Sequence, residues 1–327
     1  MGETRRWAKT ALFSVGFVLM GCGKAQIIDV SFVPRVDRPA YPAGAGPVVA
    51  VDEGHFNFHT IGGRYRHFAE LLKLDGYAVV PVTDEITGES LSSVDVLVVS
   101  NALAEQNSPP GGWSLPNPSA FTAGEIEAVR RWVEAGGALL LIADHMPFPG
   151  AASDLAGAFG FRLNNGFAFD GSLEQGPGDV LSAIRQPAVF RRNGNGLTDH
   201  PITEGRSPAE RVDHVLTFTG QAFEAGKDAE PLLVLGPAWI TIMPSTVWEF
   251  TEQTPRKSAG GWLQGAALRF GEGRVAVFGE AAMFTAQRAS GSGKPMGMNH
   301  PQAGQNSRFV LNVLHWLSGL IDQEVSS

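Results

Sequence analysis

The 327-residue chain holds one cysteine, Cys22. A single thiol leaves no partner for an intrachain disulfide. It also excludes a multi-thiolate metal site and, everywhere beyond residue 22, a cysteine nucleophile. Excess positive charge is lacking as well: 25 Lys and Arg stand against 33 Asp and Glu, a formal net of −8. Acidity of this size argues against a phosphate-backbone partner, so no nucleic acid is expected. The N-terminal apolar stretch, Ala11 to Met20, is too short to span a bilayer. Internal repeats and low-complexity tracts are absent. Glycine and proline, at 40 and 21 residues, are plentiful and imply long loops around a compact sheet.

Arg5, Arg6 and Lys9 precede the apolar stretch, and Leu19-Met20-Gly21-Cys22 closes it. This is the pattern of a processing segment over residues 1 to 22. Its last four residues resemble the lipobox of bacterial lipoproteins, with Met20 where a small residue is usual. The resemblance implies lipidation at Cys22, hence a membrane partner held through a lipid anchor. Gly23 after the cysteine, in place of Asp, implies transfer to the periplasmic face of the outer membrane. Residues 1 to 21 carry three basic groups and one acidic, a net of +2, so removing them leaves −8 − 2 = −10. Residues 23 to 46 read as a Pro/Gly-rich linker. Residues 47 to 320 read as one α/β domain, with 164 to 231 as an elaboration.

The apolar run Val48-Val-Ala-Val51 reads as a strand buried on both faces of a parallel sheet. Tyr65 to Leu74 has helical spacing and stops at Asp75-Gly76. Tyr77 to Val82 and Asp95 to Ser100 read as further strands. Thr122 and Glu125 form a capping box, with Phe121 and Ile126 placed as a staple, and Gly136-Gly137 end that helix. The strand Ala138 to Ala143 follows, then a short helix from about Ala151 to Phe159. Trp262 to Phe270 and Arg274 to Phe278 read as a hairpin, and Asn306 to Leu320 as a closing helix. This order predicts a doubly wound, mainly parallel flavodoxin-like sheet with a C-terminal hairpin.

In such sheets ligands sit beyond the carboxyl ends of the strands. Three predicted strands end there in polar groups: Asp52-Glu53 with His55, Asn57 and His59; Asn101; and Asp144-His145. His55, Asn57 and His59 share one side of an extended chain, which would turn Phe56 and Phe58 into the core. Glu280 lies just past the second hairpin strand, and His300 in a loop before the closing helix.

Asp52-Glu-Gly-His-Phe-Asn-Phe-His-Thr60, Leu141-Ile-Ala-Asp-His-Met-Pro-Phe-Pro-Gly150 and Gly273-Arg-Val-Ala-Val-Phe-Gly-Glu280 resemble the class I glutamine amidotransferase-like superfamily. The nearest branches are the trehalose-utilisation-like and gliding-transport-like domains and a set of bacterial lipoproteins, and the likeness covers most of residues 47 to 320. The resemblance implies an amidotransferase-like fold with its site at the strand tips. Where the amidotransferases carry a catalytic cysteine this chain has Asp144-His145, and their late His-Pro-Glu element is His300-Pro301-Gln302. Glutaminase chemistry through a thioester is therefore excluded.

Three readings of the site follow. In the first, Asp52, His55 and His59 hold a divalent metal such as zinc, and Glu53, Asp144 and His145 (with Glu280 as a second candidate base) serve hydrolysis of a glycan, peptide or related envelope substrate. The zincin motif is ruled out, since Phe56 stands where its glutamate would be. In the second, the same mouth binds a small molecule, glycan or peptide without turnover, through Asn57, Asn101, Glu280 and His300. In the third, the polar groups brace loops. Trp113, in the Pro-rich loop 104 to 120, is a candidate stacking platform for a sugar.

Overall fold

The computed structural model describes residues 26–109, 112–176, 179–289 and 291–321. Cys22 and the processing segment lie outside the described residues. The central sheet has nine strands: β1 (Val48–Asp52), β2 (Ala78–Val82), β3 (Val96–Ser100), β4 (Ala138–Ile142), β5 (Phe161–Leu163), β6 (Phe223–Ala225), β7 (Glu230–Val234), β8 (Leu263–Phe270) and β9 (Gly273–Phe278). The order β2-β1-β3-β4-β9 is parallel throughout. The β8–β9 hairpin then reverses direction, and β7, β6 and β5 add antiparallel strands beyond it. The elaboration thus contributes strands to the sheet edge. Its strand Phe167–Asp170 also pairs with Trp239–Ile242, later in the chain, and Arg256–Ser258 completes that three-stranded antiparallel sheet.

Alternate residues of the parallel strands feed two cores, because successive side chains point to opposite faces. Val49, Val51, Val96, Val98, Leu140, Ile142, Ala276 and Phe278 pack with helix α1 (Arg66–Leu74) and helix α4 (Asn306–Leu317). Ala50, Leu97, Val99, Leu139, Leu141, Val275 and Val277 pack with α2 (Ala123–Glu134) and α3 (Phe148–Gly157). Helices on both faces make the sheet doubly wound, as the apolar runs require.

Local signals act as expected in α2. Thr122 and Glu125 complete the capping box, and Gly136 closes the helix at φ 116°. Helix α3 starts three residues before the expected Ala151, since Pro149 suits a first turn that lacks backbone acceptors. Helix α4 ends at Leu317, before Gly319 at φ 78°. The described part of the expected linker is built into the domain. Ile27–Ile28 pairs with Ala286–Arg288, the Ala40 N–H donates to Asp75 Oδ1 at 2.9 Å, and Tyr41 packs edge-on against Tyr77.

Leu140 is fully buried in a strand that has neighbours on both edges. Leu140→Ala is expected to cost about 2–5 kcal/mol, read as a lower urea midpoint at unchanged slope. A loss under about 1 kcal/mol would mean that β4 is not the centre of the sheet.

Candidate functional site

Strand register places the polar tips. Ile142 pairs with Phe278, so Asp144 and Glu280, each two residues further on, come side by side on the α1/α4 face. Ser100 shares that face with Val96 and Val98. Asp52 has the opposite parity, since it follows Ala50, and it faces α2. The strand tips therefore carry two polar clusters, one on each face of the sheet.

On the α2 face, Asp52 is buried and His55 stands between two carboxylates. Its Nδ1 lies 2.8 Å from Asp52 Oδ1 and its Nε2 lies 2.9 Å from Glu125 Oε1. Glu125 is the capping-box residue of α2; Oε2 accepts the Thr122 N–H and hydroxyl, and Oε1 accepts the Ile86 N–H. Burial works against a charged His55, but the hydrogen bond to Asp52 and the two carboxylate charges outweigh it and raise its pKa. Burial is likewise overcome at Glu125, which the Thr122 and Ile86 donors and His55 hold below the usual carboxylate value.

Asn57 ties the loop to this cluster. Its side chain accepts the His55 N–H at 3.0 Å and donates to Asp52 Oδ2 at 2.9 Å. These bonds form a local turn, so the segment is not extended. Phe56 sits at φ 46° and is 51 % exposed, and only Phe58 packs into the apolar core, against Trp113 and Phe148. Trp113 is thereby part of an aromatic cluster. Glu53 accepts the Ile61 N–H through Oε1 at 2.6 Å, which closes the far end of the same loop.

On the α1/α4 face, Glu280 is buried and its two oxygens accept the N–H groups of Ala282 and Met283 at 2.6 and 2.8 Å. Asp144 keeps 13 % of its side chain exposed; Oδ1 accepts the His145 N–H, and Oδ2 accepts no hydrogen bond of ordinary length. Burial raises the pKa of both acids, and the charge of Asp144 adds to the effect at Glu280. Two carboxyls in this position titrate as one unit and retain a proton that isolated acids would lose. The larger effect is at Glu280, so the shared proton belongs there, and Asp144, the more exposed of the two, is the acid that exchanges protons.

Tyr65 adjoins this pair. Burial, and the charges of Glu280 and Asp144, push its phenol well above the ordinary value. Its ring stacks on His59 at 4.4 Å, and His59 Nδ1 lies 3.2 Å from the Ser100 hydroxyl. Burial first, then the Arg64 charge, lower the His59 pKa well below the ordinary imidazole value, so the ring is neutral. Arg64 lies over the Phe58 ring at 3.7 Å and donates to the Phe58 carbonyl at 3.3 Å. Among the described residues no carboxylate pairs with it.

Asn101 links the two clusters. It is 1 % exposed at φ 49°, its Oδ1 accepts the Asp144 N–H at 2.9 Å, and its Nδ2 has no hydrogen-bond partner. His145 donates from Nδ1 to the Met146 carbonyl at 2.6 Å and stacks on Phe167, with Trp248 edge-on. In the neutral ring Nε2 then carries the lone pair, 3.9 Å from Asp144 Oδ1. His300 makes no hydrogen bond to either cluster among the described residues. It packs edge-on against Phe218, and its Nδ1 accepts the Gln302 N–H.

The structure thus brings Asp144, Glu280, Asn101 and His145 together, and separately Asp52, His55 and Asn57. It does not bring Asp52, His55 and His59 to one point, and no group of three or more His, Cys, Asp or Glu among the described residues is placed to hold a metal. Both His55 nitrogens face carboxylates, and His59 belongs to the other face. The donor set therefore does not fit a bound divalent ion. Tyr65, Ser100, Arg64 and Glu125 escaped the sequence reading. Only the capping-box pattern marked Glu125, and it marked a helix start.

No family model matches the sequence, and no curated protein does. Among solved structures, the mmIFT52 N-terminal domain aligns at 16 % identity and a TM-score of 0.55, over 83 % of this chain and 97 % of that one. A thua-like protein from Bacteroides uniformis aligns at 15 % and 0.43, over 87 % and 94 %. A GMP synthase protein from Thermoplasma acidophilum aligns at 11 % and 0.40, over 85 % and 98 %. What is shared with the first of these is the fold, a doubly wound α/β sheet.

Because its folded pKa is raised, His55 contributes stability that is complete below its unfolded value of about 6.5 and is lost as pH rises through the folded value. Urea midpoints taken from about pH 6 to 9 are expected to fall more steeply in the wild type than in His55→Gln. Parallel profiles would show that the bridge between Asp52 and Glu125 contributes nothing through charge.

Proposed function

We propose that this protein is a cell-envelope hydrolase of the amidotransferase-like fold, acting on a glycan or peptide of the envelope by general acid–base catalysis. The observation that carries the reading is the Asp144–Glu280 pair: two acids on adjacent strand tips, of which only Asp144 reaches solvent. Ionised Asp144 takes the proton of the attacking water. His145, held by its Nδ1 bond to Met146, delivers a proton from Nε2 to the leaving group when its ring is protonated. Asn101, buried behind the pair, holds Asp144 in place by accepting its N–H. Burial and the charge of Asp144 hold the proton of the pair on Glu280, and activity falls as pH drops through the raised Asp144 pKa.

Digestion of peptidoglycan glycan strands and stem peptides, followed by product chromatography, tests this. Asp144→Asn should lower turnover by about 10²–10⁴ with fragment binding retained. Saturable fragment binding by the wild type without product would replace catalysis with ligand binding. That second reading draws on the number of polar groups already committed to bracing, both His55 nitrogens and both Glu280 oxygens among them. Neither binding nor product would sink both.

We also propose, from the pattern Leu19-Met20-Gly21-Cys22, that the chain is lipidated at Cys22 and held at the outer membrane. Cys22→Ala should move the protein from the membrane fraction to the soluble one. Unchanged partitioning would remove the anchor.

A further inference from the structure

A cavity of about 710 Å³ lies away from the strand tips, between the segment around residues 35–39, the loop at 206–210 and helix α4. Asp75 and His315 form its inner end. Asp75 precedes β2, so this end lies by the amino ends of the strands. His315 Nε2 is 2.6 Å from Asp75 Oδ2, and Asp75 Oδ1 is occupied by the Ala40 N–H.

Two polar atoms of this wall are buried and unsatisfied. Asn312 and His315 are 1 % and 2 % exposed, and Asn312 Oδ1 and His315 Nδ1 have no hydrogen-bond partner. Buried polar atoms are nearly always paired, and an orphan that lines a cavity marks a place where a ligand or water supplies the partner. Asn312 Oδ1 can only accept, so it calls for a hydroxyl or N–H donor.

The mouth supplies the opposite requirement. Arg35, Arg38 and Arg308 line it, and among the described residues none has a carboxylate partner; Arg308 donates only to the Arg211 carbonyl. Arg206 is neutralised by Glu210, and Asp75 faces His315. Asp37 is then the one lining carboxylate not already paired, against three guanidinium groups. In a chain of net −8 this local excess of positive charge runs against the overall field. Guanidinium forks match phosphate oxygens in number and geometry.

We propose that this cavity binds a phosphate ester that carries free hydroxyls: the phosphate lies among Arg35, Arg38 and Arg308, and a hydroxyl reaches Asn312 Oδ1. Glycerol phosphate has this chemistry both as a free metabolite and as a phospholipid headgroup.

The full chain in nonionic detergent can be titrated calorimetrically with glycerol 3-phosphate, and separately with monomeric dihexanoyl phosphatidylglycerol and dihexanoyl phosphatidylcholine. Saturable binding of glycerol 3-phosphate alone identifies a free phosphate ester. Preference for the phosphatidylglycerol over the phosphatidylcholine identifies a headgroup. Either result supports the site if Arg308→Ala weakens it roughly tenfold, as loss of a charge-assisted hydrogen bond requires, and Arg308→Lys weakens it less. Asn312→Leu should weaken glycerol 3-phosphate but leave inorganic phosphate unchanged. Arg35→Ala and Arg38→Ala alter exposed side chains and keep the test open if the Asn312 variant fails to fold. No saturable binding of any phosphate probe, or affinities unchanged in all three arginine-to-alanine variants, would overturn the proposal.

Discussion

The pairing of Ile142 with Phe278 is the contact from which the strand-tip site follows. Strands buried on both faces must run apolar to their ends, and they can turn polar only where the sheet opens. Because β4 and β9 are parallel and in register, their first polar residues arrive at the same height. Asp144 and Glu280 are therefore forced together by backbone pairing, not drawn together by attraction. Two acids brought near one another under burial cannot both ionise without a large electrostatic cost. The fold meets that cost unequally. Glu280 receives two backbone donors from the turn it starts, whereas Asp144 receives one and keeps an oxygen open. Asymmetry of this kind separates a brace from a proton-exchanging group.

The same alternation explains why the run from Asp52 to His59 does not act as one unit. Asp52 follows Ala50 onto the α2 face, where His55 and Glu125 complete a carboxylate–imidazole–carboxylate chain. His59 is carried to the opposite face, under Tyr65 and beside Ser100. One histidine is surrounded by negative charge and gains protons; the other lies beside Arg64 in an apolar wall and loses them. Two imidazoles four residues apart thus have opposite electrostatic tasks.

Much of the scaffold was legible from periodicity. The four apolar runs that became β1, β3, β4 and β9 carry no internal polar residue beyond Arg274 at the start of β9, and the capping box at Thr122 fixes α2 to the residue. Position at the strand ends was legible too, because Asp52, Asn101 and Asp144 each close such a run. Facing was available in the parity of the numbering, Asp52 with Ala50 and Asp144 with Ile142, yet proximity in sequence suggested a shared site. The Asn57 turn could not be read this way, since a side-chain amide that bonds its own backbone overrides the alternation of an extended chain. Tyr65 and Arg64 were invisible for another reason: their roles come from packing against residues over two hundred positions or one loop away.

The electrostatics at Asp144 bear on the sequence resemblance, which sets a cysteine against this position. In the amidotransferase-like resemblance the residue after the β4 strand end is a nucleophile at a sharp elbow. Here Asp144 has an ordinary backbone conformation, and the left-handed position belongs instead to Asn101 on the neighbouring strand. A thiolate nucleophile needs nearby positive charge to lower its pKa. The environment at Asp144 does the reverse, with Glu280 beside it and Tyr65 unionised above. A site arranged to hold a proton on an acid is poorly suited to stripping one from a thiol.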